Sequence, residues 1–206
     1  MAKTPVPGKC KTRLCPPCTY EQAATLAEVA LRDTVDVVSA TPALRRVLVF
    51  DGPAPRWLPR DYTVIPQRGM GLGERLAAAF EDAGGPSLLV GMDTPHLSQR
   101  LLRRAATILS RSATDAVLGP SIDGGYWAVG LRVPDPRVFL GVPMSDAATG
   151  AAQWERLREL GLRTKLLPAL RDVDLFEDAL AAAKSAPGTR FAAALRALEE
   201  GERASA

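Results

Sequence analysis

Residues 87–119 read SLLVGMDTPHLSQRLLRRAATILSRSATDAVLG, and this stretch sets the expectation for the fold. Residues 87–90 predict a short buried strand, and the loop that follows carries Asp93 two residues before a proline. Apolar residues at helical spacing predict a helix over 98–109, and residues 116–118 predict a second strand. The order strand, helix, strand is typical of a parallel sheet covered by helices.

The same alternation continues on both sides of this unit. Further helices are predicted over 21–40, 73–83, 151–160, 175–184 and 189–199, and further strands over 46–50, 62–65, 126–129 and 163–167. Because these strands are apolar on both faces, the sheet needs helices on both sides. We expect one α/β domain over residues 1–200, a three-layer α/β/α arrangement with a mostly parallel sheet, and a loose tail at 201–206.

The beginning of the sequence departs from this pattern. Residues 4–8 read TPVPG, which excludes regular structure, and only three residues precede them. A phosphate-holding loop in an α/β sheet normally follows a strand. We therefore expect the first strand to be missing.

Composition narrows the class of protein. The chain has 206 residues, 47% of them hydrophobic, and a net charge of +3 with acids and bases interspersed. This pattern argues against a general nucleic-acid or membrane patch. No apolar run approaches the roughly 20 residues of a membrane span, and no signal-peptide pattern is present. The expected location is the cytoplasm, and the oligomeric state stays open.

One segment is an exception to the balanced charge. Residues 1–20 contain Lys3, Lys9, Lys11 and Arg13 and no acid. Cations at the alternating positions 9, 11 and 13 can converge on a polyphosphate. The spacing of a Walker loop is absent, which disfavours a P-loop ATPase. A solvated basic loop is the alternative.

The same segment holds three cysteines, Cys10, Cys15 and Cys18. A metal site needs a fourth ligand, and the only histidine is the distant His96. A redox role needs a thioredoxin-like context that is absent. We interpret the cysteines as ordinary thiols, with metal or redox use as the alternative.

Aspartates follow the ends of predicted strands, where ligands of such sheets bind. Asp93 can present its carboxylate to a divalent cation that bridges phosphates, or it can cap a turn. Asp172 and Asp174 precede a predicted helix, which one of them can cap.

The loop at 119–127, GPSIDGGYW, follows another predicted strand. Its glycines allow the backbone beside Asp123 to approach a ligand closely, and Tyr126 or Trp127 can offer a flat apolar face. The alternative is a hairpin turn, because Asp-Gly and Gly-Gly are strong turn signals.

In this order, the motifs resemble those of small GT-A-like transferases associated with radical-SAM or selenium-related genes, and more distantly nucleotidyltransferases of similar fold. The resemblance covers nearly the whole chain, in the segments AKTPVPGKCKTRL (2–14), QRGMGLGERLAAAF (67–80), GMDTPHL (91–97), GPSIDGGYWAVGL (119–131) and RDVDLFEDAL (171–180). Two positions depart from the family pattern. His96 replaces a usual acid, and residues 142–146 read VPMSD where Trp-Ser-Thr is usual.

The resemblance implies a nucleotide-diphospho-sugar transferase fold and a set of roles. Phosphate binding falls to Lys9, Lys11 and Arg13, metal binding (Mg²⁺ or Mn²⁺) to Asp93, and the donor or acceptor sugar to Asp123, Gly124 and Gly125. To these we add Lys3 and Gly8 as further phosphate-binding residues, Asp174 as a second metal ligand and Tyr126 as a further substrate contact. The implied partners are a nucleotide or nucleotide sugar and a small-molecule acceptor.

Three functional hypotheses follow. The first is a metal-dependent glycosyltransferase in which Asp123 or Asp146 deprotonates the acceptor hydroxyl. The second is a nucleotidyltransferase that releases pyrophosphate from a nucleoside triphosphate. The third is a truncated, non-catalytic nucleotide binder, motivated by the missing first strand.

Overall fold

A computed structural model describes residues 1–205, and the side chains of residues 1–201. The strands are β1 (Ala2–Lys3), β2 (Arg46–Asp51), β3 (Tyr62–Pro66), β4 (Ser87–Val90), β5 (Ala116–Pro120), β6 (Tyr126–Leu131) and β7 (Thr164–Leu166). The helices are α1 (Tyr20–Ala40), α2 (Leu72–Ala83), α3 (Gln99–Leu109), α4 (Thr149–Glu159), α5 (Phe176–Ser185) and α6 (Arg190–Ser205).

The strands form two sheets that are joined by a hydrogen bond at Met1. One sheet has the order β1-β2-β3 with parallel pairing, and the other has the order β4-β6-β5-β7. The amine of Met1 donates a hydrogen bond of 2.8 Å to the carbonyl of Val90, which joins β1 to β4. The predicted α/β fold with a largely parallel sheet is confirmed. The exception is β6, which runs antiparallel to both of its neighbours.

The sheet has a helical layer on each face because β5 presents apolar side chains to both sides. Leu118 packs in one buried cluster with Phe80 of α2 and Leu157 of α4. Val117 lies next to it in the strand and packs in another cluster with Leu102 of α3. Successive side chains of a strand point to opposite faces, so the two clusters lie on opposite sides of the sheet.

The expectation that the first strand is missing was wrong. Ala2 and Lys3 form a short strand that pairs with Phe50 and Asp51 of β2, and the amide of Thr4 continues the ladder by donating to the Asp51 carbonyl. This strand is short, but Ala2 is buried and packs in one cluster with Leu48 and Phe50 of β2. A cavity of about 600 Å³ lies beside this short strand and is lined by residues of β2 and β4.

The helix boundaries largely follow capping chemistry. Thr19 caps α1 in a reciprocal arrangement with Gln22. The buried carboxylate of Asp33, on α1, accepts hydrogen bonds from the amides of Arg190 and Phe191 and so caps α6. Helix α6 continues through 201–205, most of the predicted tail, and Ala206 lies outside the described residues. Among the described helices, none combines the length and the apolarity needed to cross a bilayer.

Asp115 anchors the edge strand β7. Its carboxylate accepts hydrogen bonds from the amide, Nε and Nη2 of Arg163, at 2.9, 2.7 and 2.8 Å. These side-chain bonds lower the pKa of Asp115 to about 2 from its usual 3.8, because they favour the ionised form.

Asp115→Asn should lower the free energy of unfolding by about 1–2 kcal/mol at pH 7, less than the roughly 1.5–3 kcal/mol of a buried hydrogen bond to a charged group, because solvent screens the exposed Arg163 side chain. Because the folded-state pKa is depressed, this contribution is present above pH 4 and is lost as the pH falls toward about 2. Urea unfolding of both proteins at several pH values measures it. Glu200→Gln, a change at an exposed acid, is the control, and a difference from wild type that persists at pH 2 contradicts the explanation.

Candidate functional site

A cleft of about 1030 Å³ opens at the carboxyl ends of the strands. The residues that end or follow β1 to β5 all contribute to its lining: Lys3, Asp51, Gln67, Asp93 and Asp123. Residues 145–149 and 171–175 contribute most of the remaining polar lining. Ligands of open α/β sheets bind at this edge, so the cleft is the candidate site.

Four charged side chains from distant segments meet at this cleft. Lys11 Nζ lies 2.6 Å from Asp93 Oδ1 and 3.2 Å from Asp174 Oδ1, and Arg13 Nη1 lies 3.2 Å from Asp174 Oδ2. We call these residues the charge cluster. Burial lowers the pKa of Lys11, but the carboxylates of Asp93 and Asp174 outweigh it and leave the pKa above 10.5. The lysine is therefore a permanent cation at physiological pH.

The structure separates the cations that sequence spacing had grouped. Lys3 and Arg13 line the cleft, Lys11 lies behind Asp93, and Gly8 and Lys9 are exposed outside the lining. The alternation argument assumed an extended chain, but residues 12–14 form a 3₁₀ turn and Lys11 is left-handed, with φ 47°. Lys11 and Arg13 nevertheless converge on Asp174, whereas Lys9 does not join them at the cleft.

Sequence reasoning missed the role of Asp172. It is largely buried between two hydroxyls, with Thr94 Oγ1 donating to Oδ1 at 2.7 Å and Ser121 Oγ donating to Oδ2 at 2.8 Å. Burial raises its pKa, and the nearby carboxylates of Asp93 and Asp123 raise it further, whereas the two hydroxyls oppose the rise. The sequence did contain a signal for this environment, because Thr94 follows Asp93 directly and Ser121 stands two residues before Asp123.

The loop at 121–125 proves to be a hairpin that also lines the cleft. It joins β5 to the antiparallel β6, so the hairpin alternative is confirmed. Asp123 Oδ1 accepts a hydrogen bond from the amide of Gly125, and the carbonyl of Gly124 accepts one from the amide of Gly150 at 2.7 Å. The second bond packs the hairpin against the loop that carries Asp146.

Asp146 caps the turn that leads into α4. Its Oδ1 accepts a hydrogen bond of 2.7 Å from the amide of Ala148, and its own amide donates to Thr149 Oγ1 at 3.0 Å. The carboxylates of Asp123 and Asp146 are both exposed at the cleft, on adjoining loops. Each has oxygen lone pairs left for an incoming hydroxyl.

The two aromatic residues after the hairpin both border the cleft but differ in burial. Tyr126 lines the cleft, and its hydroxyl hydrogen-bonds with Gln153 Oε1 at 3.3 Å beneath the surface. Burial raises the pKa of this hydroxyl, so it stays protonated. Trp127 is only 2% exposed, and its Nε1 donates to the carbonyl of Pro168. The interpretation of Trp127 as a flat ligand platform was wrong, because its ring packs in the core.

A network of three polar side chains, Asp51, Gln67 and Arg75, also lines the cleft, and the sequence analysis had assigned no role to it. Arg75 Nη1 is 3.5 Å from Asp51 Oδ2 and donates to Gln67 Oε1 at 3.4 Å. Gln67 Nε2 in turn donates to the carbonyl of Ala2 at 2.7 Å. Gln67 and Arg75 fall in the segment 67–80, which contributed to the resemblance but had no assigned role.

The other singled-out residues lie apart from the cleft. Burial raises the pKa of Cys10, whose Sγ donates to the carbonyl of Val6, and Cys18 packs with Leu14 in a buried cluster. His96 is half-buried, and burial lowers its pKa. Among the residues described, no three or more His, Cys, Asp and Glu side chains form a group that could hold a metal.

The sequence profile of a family described as "uncharacterized protein conserved in bacteria (DUF2064)" matches residues 25–146. The chain belongs to this family. The match includes the loops that carry Asp93 and Asp123 and ends at Asp146. None of the curated proteins matches the chain in sequence.

Solved structures extend the comparison. A protein from Desulfovibrio desulfuricans G20, provisionally assigned as a nucleotide-diphospho-sugar transferase, is 29% identical with a TM-score of 0.85, and the alignment covers 96% of this chain and 92% of that one. CMP:2-keto-3-deoxy-manno-octonic acid synthetase, solved with CTP, is 10% identical with a TM-score of 0.53, covering 75% of this chain and 88% of the other. The second likeness shows the fold alone. Together they place this DUF2064 member in the nucleotide-diphospho-sugar transferase fold, and the likeness to the Desulfovibrio protein supports a transferase.

Gly124→Ala should lower the free energy of unfolding by about 2–4 kcal/mol. Gly124 has φ +93°, and a Cβ there would overlap the Ala147 backbone, approaching its carbonyl carbon to 2.7 Å. Gly161→Ala is the matched control, because Gly161 also has a positive φ, +69°, but open space around the added methyl. The control should cost only about 1–2 kcal/mol in urea unfolding. Equal losses would remove the argument that the hairpin packs tightly on the 146–150 loop.

Proposed function

We propose that the protein is a metal-dependent glycosyltransferase that moves a sugar from a nucleotide-diphosphate donor to a small-molecule acceptor. One observation carries the proposal: at the strand-end cleft, cations that suit phosphates adjoin carboxylates that suit a divalent metal. The extensive likeness to the Desulfovibrio protein supports the donor class.

The carboxylate geometry fits a divalent cation. Asp93 Oδ1 and Asp174 Oδ1 converge on one position, since both lie within 3.2 Å of the Lys11 ammonium. Mg²⁺ is commonly held by one or two carboxylates together with substrate phosphates and water, so two protein ligands are sufficient. A bound Mg²⁺ or Mn²⁺ would stabilise the negative charge that develops on the leaving diphosphate.

The remaining residues have complementary roles in the proposal. Arg13, whose side chain is 66% exposed, and Lys3 face the cleft and would bind the diphosphate oxygens. Asp123 or Asp146 would take the proton of the acceptor hydroxyl, whose oxygen then forms the new bond to the anomeric carbon as the bond to the diphosphate breaks. Gly125 and the Tyr126 ring would form the wall against the sugar, whereas Gly124, which the sequence also assigned to the substrate, lies outside the lining and packs on the Ala147 backbone.

Nucleotidyl transfer is the second candidate, because the fold is shared with a CTP-bound synthetase. In that reaction a substrate oxygen attacks the α-phosphate of a nucleoside triphosphate, and pyrophosphate leaves. The two reactions differ in their products, so the assay itself separates them.

We propose a cytoplasmic enzyme whose partners are the nucleotide donor and a small acceptor, without nucleic acid or membrane.

The test measures products from nucleotide sugars and from nucleoside triphosphates with Mg²⁺ or Mn²⁺. Release of a nucleoside diphosphate from a nucleotide sugar supports glycosyl transfer, and release of pyrophosphate from a triphosphate supports nucleotidyl transfer. The absence of turnover from every donor, with nucleotide binding retained, would favour a non-catalytic binder.

Asp93→Asn should lower kcat at least about 100-fold in the productive assay, because it removes a charge that holds the metal against the leaving group. Asp61→Asn is the matched control: Asp61 pairs with Arg46 at 3.0 Å, outside the cleft lining, and its loss should leave kcat within about twofold. Undiminished metal-dependent turnover by the Asp93 variant would show that the site assignment is wrong.

A further inference from the structure

Lys11 occupies the point on which the two candidate metal ligands converge. Its Nζ contacts Asp93 Oδ1 at 2.6 Å and Asp174 Oδ1 at 3.2 Å, so a single ammonium bridges both carboxylates. Its side chain is 12% exposed, whereas those of Asp93 and Asp174 are 44% and 40% exposed. The lysine is therefore more buried than the two carboxylates that it bridges, and the carboxylates stay accessible from the cleft.

The backbone holds Lys11 in this position. Lys11 has φ 47° and ψ 33°, a left-handed conformation that is unfavourable for a residue with a side chain. Its carbonyl accepts a hydrogen bond of 3.0 Å from the amide of Leu14, which closes the 3₁₀ turn, and Leu14 is fully buried. The turn is thus fixed to the core, while the lysine side chain has four rotatable bonds with which to move.

The charge balance opposes metal binding to the free protein. Two carboxylates and two cations make the charge cluster neutral as a set. Adding a divalent cation alone would place it beside an ammonium group, at a partly buried site where repulsion is weakly screened. A diphosphate that arrives with the metal reverses this balance, because its oxygens can accept the lysine as a new ion-pair partner.

We propose that Lys11 is a tethered cation that fills the metal position in the free protein and transfers to the phosphates of the donor, so that metal binds tightly only together with the nucleotide. This proposal rests on the proposed function for the identity of the phosphate ligand. Lys11 acts here as a positioning residue that makes metal binding conditional on the donor.

A purely structural role of Lys11 predicts a different result. If Lys11 only fastens the N-terminal loop to the 93 and 174 loops, its replacement should lower the melting temperature without raising metal affinity. Competition requires a gain of metal affinity in the absence of any nucleotide, which an unspecific loss of structure would not produce.

The experiment measures the Mn²⁺ retained by the protein in equilibrium dialysis, first without nucleotide. Lys11→Met should bind Mn²⁺ at least tenfold more tightly than the wild type. Lys11→Arg restores a cation and should bind Mn²⁺ within threefold of the wild type. Lys9→Met is the matched control: it removes the same charge from an exposed residue of the same segment that lies outside the cleft lining, so Mn²⁺ affinity should stay within threefold of the wild type.

Lys11→Gln guards against a folding failure of the methionine variant, because its amide can still donate to Asp93. Unchanged or weaker Mn²⁺ affinity in a folded Lys11→Met or Lys11→Gln protein would overturn the proposal. So would tight Mn²⁺ binding by the wild type alone, equal to that of the variants.

The second arm repeats the dialysis with UDP, CDP, ADP and GDP, corrected for Mn²⁺ bound by the free nucleotide. The proposal expects one diphosphate to tighten Mn²⁺ binding at least tenfold in the wild type and much less in Lys11→Met. Equal tightening in both proteins would overturn the coupling. A gain of affinity in Lys11→Met with no response to any diphosphate would support the competition and contradict the proposed function, so the two ideas fail separately.

Discussion

A single backbone hydrogen bond, from the amide of Val173 to the carbonyl of Asp93 at 2.9 Å, brings the parts of the cleft together. It joins a loop after β4 to a loop that precedes α5, segments separated by most of the second half of the chain. Asp172 and Asp174 flank the bonded valine, so both carboxylates arrive beside Asp93. Val173 itself is 2% exposed and packs in the core, which makes the placement of its neighbours a consequence of burial.

This arrangement concentrates negative charge, and the molecule offsets it in two ways. Asp93 and Asp174 are paired with the cations of the N-terminal loop, whereas Asp172 relies on two neutral hydroxyls. Burial raises the pKa of Asp172, the carboxylates of Asp93 and Asp123 raise it further, and the two hydroxyls only partly offset the rise. Crowded like charges of this kind are costly to stability and are commonly found at functional sites.

The alternation of apolar runs and helical periodicity was sufficient to predict the layers of the fold. It did not predict the direction of β6, because a strand that is apolar on both faces looks the same in either direction. The Asp-Gly-Gly signal held the missing information, since a hairpin forces the next strand to run antiparallel. Similarly, two residues of β1 carry too little pattern to be recognised as a strand, although Ala2 is buried in the sheet.

Less of the site could be predicted than of the fold. Asp93, Asp123, Asp146 and Asp174 were named from motifs, and all four line one cleft. The pairing of Lys11 with the two candidate metal ligands could not be foreseen, because it depends on a left-handed residue that spacing rules treat as extended. Asp172 was passed over although Thr94 and Ser121 stand beside the two aspartate motifs. Both hydroxyl residues are far from Asp172 in sequence, so nothing in the sequence shows that they meet its carboxylate.

The cavity of about 600 Å³ beside β1 has a consequence for the hydration of the sheet. It is an open groove, and Leu88, Leu89 and Val90 of β4 line it and are only half-buried. Water therefore reaches apolar side chains in the middle of the sheet. Apolar surface that stays in contact with water withholds about 25 cal/mol per Å² of the stabilisation that burial would give, so added apolar volume in this groove would strengthen the fold.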